Sequence, residues 1–426
     1  MLALPDTAVG NSCAPVFAPS ALDRHERRTF LQGLVACASY AAFPGPPVAS
    51  AASGRAPAPG PVPTQQQQAT AFFVYTGCRT TRERNARGDG INVYRMEPAS
   101  GRWTHVQLCR DLVNPSFLAL DRSRRFLYTV HGDGTEMSSF RIDERTGELS
   151  PINRRSTHGK NPVHLSFDPT NRFVVVANHI SSSVAVLGVN PVDGAIGDLV
   201  DLVTLEGKIG PHRIEQPFAK PHQVAFDASG RFIVVPDKGL DGLFVFRFDG
   251  ATGKLTAADT PFVSARETSG PRHFVYHPTR PYAYAINELD STMTGYRYDG
   301  EKGRLTPFQI VSTLPDTCTG NSRASELAVS PDGRFVYGSN RGHDSLVVFT
   351  ADRESGRLSP VEWIPSGGRT PRFFALDPTG AYLYAANEDS DTIVTFSRNE
   401  ATGRLTPVGD VMQTGSPVCI LFRPTR

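Results

Sequence analysis

Four residues of this 426-residue chain have the types that acyl chemistry needs: His222, Arg272, Glu288 and Arg341. An imidazole titrates near neutral pH and a carboxylate can be tuned by burial, so His222 and Glu288 are candidate proton-transfer groups. A guanidinium grips a carboxylate, a phosphate or a developing oxyanion in a fork, which makes Arg272 and Arg341 candidate anchors for substrate charge. His273, Glu326, Arg372, Lys238 and Glu388 complete the set as predicted substrate-binding residues. Together they suit the opening of a small anionic ester or lactone by water. A metal centre is not predicted: iron would want several histidines at equivalent positions, and calcium a cluster of carboxylates.

These residues lie far apart in the chain, and a repeat is what brings them together. From residue 72 onward one pattern recurs seven times: an apolar stretch, a turn such as Asp377-Pro378-Thr379-Gly380, an aromatic-rich run ending in Asn, an alternating strand, and a hairpin of the type Thr-Gly-x-Leu. The aromatic opening the second strand is read at Phe72, Phe126, Phe173, Phe232, Tyr282, Phe335 and Tyr382, with gaps of 47 to 59 residues, the longest between Phe173 and Phe232. Four short strands per unit at that period predict an all-β, seven-bladed β-propeller. The first copy lacks an inner strand and the chain finishes on a spare one at 417–424, so that strand should complete the first blade and close the ring.

In such a blade the inner strand starts on the face where the second strand ends. The inner-strand starts (Ser116, Val163, His222, Arg272, Ser325, Arg372, Val418) should therefore ring one channel mouth with the residues just after the second strands (Cys78, Gly132, His179, Lys238, Glu288, Arg341, Glu388). On this reading the mouth is asymmetric, dense in polar groups on blades four to seven and nearly bare on blade one. His222, Arg272, Glu288 and Arg341 break the repeat pattern there, which points to function. Other positions take plainer readings. Asn178, Asn287, Asn340 and Asn387 should hold turns through their side chains. Arg231, Arg304 and Arg334 should be solvated, and His164 and His179 should be hydrogen-bonded packing groups. An ion pair across the channel would also account for Glu326 and Arg372.

Lys and Arg number 44 against 42 Asp and Glu, and no basic stripe interleaved with aromatics stands out, which argues against a nucleic-acid partner. Residues 1–51 read as a twin-arginine export signal: Arg27-Arg28-Thr29-Phe30-Leu31-Gln32-Gly33, a mildly apolar run, then Ala49-Ser50-Ala51 as a cleavage site. The run is too short to span a membrane. Residues 52–70, rich in Pro and Gln, read as a disordered tether, and 71–426 as the propeller. The export machinery is thus an expected partner and the periplasm or exterior the expected location, with acylation of Cys37 in Leu34-Val35-Ala36-Cys37 as the competing reading. The spacings of Cys78, Cys109, Cys318 and Cys419 match no metal pattern. Cys78 and Cys419 should pack as small apolar groups. No oligomeric state is signalled.

Gly270-Pro271-Arg272-His273 followed by Tyr282-Ala-Tyr-Ala-Ile-Asn287-Glu288-Leu289 resembles the seven-bladed lactonase propellers, a family with propeller-type 6-phosphogluconolactonases and fungal 3-carboxymuconate cyclases. Ser325-Glu326, Ser339-Asn340-Arg341-Gly342-His343-Asp344-Ser345, Pro221-His222 and Ala386-Asn387-Glu388-Asp389-Ser390-Asp391 are similar to the same family over roughly 72–426. The resemblance implies that the family's catalytic His, Arg, Glu and Arg fall on His222, Arg272, Glu288 and Arg341, with no metal and no organic cofactor. It implies hydrolysis of a sugar lactone or another anionic lactone. Two other readings stay open: the reverse direction, a muconate-type lactonizing cyclase, and an exported binding propeller without catalysis.

Overall fold

The computed structural model describes residues 71–425, so the export-signal and tether readings, Cys37 included, lie outside the described residues. Seven antiparallel sheets of four strands follow one another, the seventh with a fifth short strand at Met412–Gln413. The first blade takes its innermost strand from the C-terminus: Pro417–Pro424 pairs with Phe72–Cys78, from Phe72 opposite Pro424 to Gly77 opposite Cys419. The predicted ring and its closure are both present.

Blade-to-blade packing explains the repeat residue by residue. Seven apolar clusters each draw on two neighbouring blades, the last joining the seventh blade to the first through Tyr384, Trp103 and Ile420. The hairpin glycine of each blade lies on the aromatic ring opening the second strand of another: Gly147 (φ +78°) on Phe73, Gly194 on Phe126, Gly303 on Phe232, Gly403 on Phe335. A Cβ at Gly147 would sit 2.4 Å from the Phe73 ring, and its positive φ also favours glycine. Two residues along, a tyrosine hydroxyl donates to that glycine's carbonyl, as in Tyr128 to Gly194 (2.9 Å) and Tyr284 to Gly356 (2.8 Å). The turn aspartate accepts the N–H of the opening aromatic, as Asp168 does from Phe173 (2.8 Å) and Asp377 from Tyr382 (2.8 Å).

One reading needs correcting. Gly147 covers Phe73, and the hydroxyl bonded to it belongs to Tyr75. The first blade's opening aromatic is therefore Phe73 and not Phe72, and its second strand ends at Cys78 rather than Gly77. Sequence alone offered two adjacent phenylalanines, and a register irregularity between Gly77 and Cys78 hides the offset. The residue following that strand is thus Arg79, and blade one does place a charged side chain at the mouth.

The four second-strand asparagines donate locally, Asn340 to the Thr313 carbonyl (2.8 Å) and Asn287 to the Thr292 hydroxyl (2.9 Å). Arg231, Arg304 and Arg334 are exposed. All four described cysteines are free, with Cys78 and Cys419 buried.

Candidate active site at the channel mouth

Inner strands open at a proline and then slip by one residue: the ladder jumps between Pro115 and Phe117, Pro162 and His164, Pro271 and His273, and Pro371 and Phe373. The skipped residues, Ser116, Val163, Arg272 and Arg372, are β-bulges, a device that re-aims a side chain off the sheet face. Blade four goes further. Its inner strand shrinks to Ala225–Phe226 with an isolated bridge from Pro221 to Asp237, leaving His222 tied by its N–H to the Pro236 carbonyl (3.0 Å).

Glu288 is the centre of charge. Its carboxylate lies 3.1 Å from Arg341 Nη2, 3.1 Å from Lys238 Nζ and 3.3 Å from Arg272 Nε, and it is only 4% exposed. Burial alone would raise this carboxyl, but Arg341, Lys238 and Arg272 outweigh it and hold Glu288 well below the usual carboxylate range. The Arg272 guanidinium also donates to the Ser325 carbonyl (2.7 Å). Burial, reinforced by Arg341 and Arg372, lowers it to about 9.

His222 is buried and its Nδ1 has no hydrogen-bond partner. Burial first, then Arg272 and His273, push it well below the ordinary imidazole value, so it is neutral at pH 7. Its ring packs between His179 (5.3 Å) and His273 (5.1 Å). His179 is bonded to the Pro221 carbonyl (3.1 Å), and the His164 ring lies tilted against Phe117 (4.0 Å), as packing groups do.

The ion pair entertained between Glu326 and Arg372 does not form. Glu326 instead meets His273 Nδ1 at 3.0 and 3.1 Å, while Arg372 lies 3.7 Å from Glu388. The bulge sets Arg372 beside Glu388, just past its own blade's second strand, whereas Glu326 lies against His273 of the neighbouring blade. Burial pushes the Glu326 carboxyl up to about 8, and burial with Arg272 holds His273 well below its usual value, so the pair is uncharged at pH 7. A carboxyl raised in the folded state contributes stability below its unfolded value near 4.3, and that stability is lost as pH rises through about 8. Thermal melts of the wild type should therefore shift downward between pH 5 and pH 8.5 more steeply than those of Glu326→Gln. Equal slopes would mean that Glu326 ionises normally.

Three charged residues escaped the sequence reading. Glu215 reaches Lys238 (3.0 Å) and Arg323 (2.8 Å) from the segment between blades three and four, where Gln216 pins the backbone by donating to the Lys238 carbonyl (2.9 Å). Its signal was the longest gap in the repeat, which must carry an added loop. Arg323 precedes the position taken as the strand start, and Arg79 was lost to the one-residue offset.

The match to known proteins follows this geometry. Residues 73–422 match the family model described as lactonase, 7-bladed beta-propeller. The 6-phosphogluconolactonase of Bacillus subtilis is 34% identical over 72% of this chain and 85% of its own length, and that of Formosa agariphila is 31% identical over 68% and 82%. Among solved structures, the periplasmic gluconolactonase of Pseudomonas aeruginosa is 30% identical with a TM-score of 0.78, covering 84% of this chain and all of that one. The chain belongs to the seven-bladed β-propeller lactonase family.

Proposed function

We propose that this protein hydrolyses a small sugar lactone or another anionic lactone at the channel mouth, with His222 as the base. The observation carrying this reading is the orphaned Nδ1 of a buried, neutral His222 beside the guanidinium-rich cluster. A buried imidazole nitrogen without a partner is costly unless something arrives to use it. Water held there loses its proton to His222 as its oxygen bonds to the lactone carbonyl carbon. Arg272 and Arg341 take the charge that gathers on the carbonyl oxygen. The tetrahedral adduct then breaks the ring C–O bond, and the proton on His222 passes to the leaving alkoxide. Glu288 is already engaged by Arg341, Lys238 and Arg272, so its part is to fix those three, and His222 Nδ1 is the atom left free to take the proton.

Names of relatives support the substrate class: 6-phosphogluconolactonase for the Bacillus subtilis protein and gluconolactonase for the Pseudomonas aeruginosa one. Export through Arg27-Arg28, with work in the periplasm or outside the cell, is part of the same proposal. It is supported by the leader motif and by the location in the latter protein's name. No helix among the described residues is long and apolar enough to cross a membrane.

A pH-stat assay of the full chain on glucono-δ-lactone and its 6-phosphate tests the reading. His222→Asn should lower kcat at least about a hundredfold. Wild-type kcat should stay flat down through pH 6.5, because His222 charges only at more acidic pH. A folded wild type that turns over neither lactone would overturn the proposal.

A further inference from the structure

We infer that Arg79 and Arg372 form a seat for an anionic group, carboxylate or phosphate monoester, carried by the substrate away from its reacting carbonyl. The inference rests on the lactonase reading above and assigns a second end to the same ligand.

Arg79 occupies on blade one the position that Glu288 and Glu388 occupy on theirs, the residue directly after the second strand, and that Arg341 occupies as the strand's last residue. It is 3% exposed, yet its Nε and Nη1 make no hydrogen bond. Its nearest carboxylates stand off at 3.6 Å (Asp133) and 3.7 Å (Glu388). Asp133 is already gripped by Arg84 and Asn114. Arg372 likewise has Glu388 at 3.7 Å as its ion-pair partner. Burial, then the like charge of Arg372, lowers Arg79 to about 9, a cost that a bound anion would relieve.

The ground beneath Arg79 is cut to fit. Gly132 holds the equivalent position on blade two, and a Cβ there would come within 2.6 Å of Arg79 Nη1 and 2.7 Å of Ser116 Oγ. That hydroxyl is also buried without a partner. A buried guanidinium whose carboxylates stand no nearer than 3.6 Å and whose Nε and Nη1 make no hydrogen bond, a buried hydroxyl without a partner, and a second arginine at 3.7 Å from the shared Glu388 leave donors for one multivalent acceptor. Oxyanion groups accept such forked bonds. Ser325 links the two ends, its carbonyl accepting from Arg272 (2.7 Å) and its hydroxyl donating to the Arg372 carbonyl (2.7 Å), so the seat adjoins the reacting end rather than forming a separate site.

The test compares kcat/KM on glucono-δ-lactone and on its 6-phosphate for wild type, Arg79→Met, Arg79→Lys and Gly132→Ala. Arg79→Met should lower the phosphorylated-to-unphosphorylated ratio by about tenfold or more, through KM, with Arg79→Lys restoring part of it. Gly132→Ala displaces the guanidinium without removing its charge and should lower the ratio in the same direction. Calorimetry with inorganic phosphate reads the seat apart from chemistry: binding to wild type should weaken at least about tenfold in Arg79→Met. If no lactone is turned over but phosphate binds and the variant loses it, the lactonase reading fails and the seat stands. An unchanged ratio together with unchanged phosphate binding in folded Arg79→Met overturns the inference. A 3-carboxy-substituted muconolactone run in parallel separates the sources: preference for it over the phosphosugar lactone, lost in Arg79→Met, makes the anion a carboxylate.

Discussion

Glu288→Gln should reduce kcat/KM by at least about a hundredfold on every lactone the protein accepts, and should lower the melting temperature as well. Glutamine keeps the shape and loses the charge, which leaves Arg341 and Arg272 facing each other in a buried site and Lys238 with Glu215 alone. Breaking a buried ion pair costs about 3–5 kcal/mol because the partner's charge is left uncompensated. Losing the alignment of an oxyanion donor costs about a hundred- to a thousandfold in rate. Arg341→Ala should lose a similar factor, and the double variant should be little worse than either single one, since both disrupt one unit. Added formate or azide distinguishes Glu288 as an organiser from Glu288 as a proton acceptor. Small acids can replace a missing base, but they cannot easily re-aim two arginines and a lysine, so no rescue is expected. Full rescue, or a variant with wild-type kcat/KM, would remove Glu288 from the role given to it here.

The repeat was legible because its residues answer to local rules: aspartate in the turn, an aromatic to be covered, a glycine to cover it. The aromatic and its covering glycine recur in all seven blades and the turn aspartate in four, so single errors average out. The mouth was legible for the same reason, since His222, Arg272, Glu288 and Arg341 stand at positions the repeat itself defines. What escaped was anything the repeat does not index. Glu215 arrives on a loop with no counterpart in other blades. Arg79 was hidden by Phe72-Phe73, where two rings compete for one register and only the covering glycine decides. The partners of Glu326 and Arg372 depended on where β-bulges turn side chains, and spacing carries no mark of a bulge. The long, one-per-blade features read well from sequence; charge pairing between blades does not.

Ending the chain after Thr414 should abolish cooperative folding, the largest stability effect expected of any change in this protein. The strand lost, Pro417–Pro424, supplies the ladder along Phe72–Cys78 and buries Val418, Cys419, Ile420 and Arg423 to within 3% of full burial. Full burial of an aliphatic side chain contributes about 1.5–3 kcal/mol, and a domain's net stability is only about 5–15 kcal/mol. The cut also opens the clusters on both sides of blade one and leaves an unpaired apolar edge prone to association. Truncation should give aggregated protein, or a melt without a sharp transition. A permuted chain separates loss of the strand from loss of the way it closes the ring. Thr425 donates its N–H to the Ala71 carbonyl at 2.8 Å, so a short linker can join those ends, and exposed Gly320, with nothing near its Cβ position, offers a new opening between blades five and six. That permutant keeps every strand but builds each blade from one continuous segment. It should fold with a sharp transition, yet unfold faster than wild type, because no blade then borrows a strand from the far end of the chain. If the permutant matches wild type in unfolding rate, closure by the last strand adds contacts and nothing more; if the truncated chain melts sharply, the ring is held by its six complete blades.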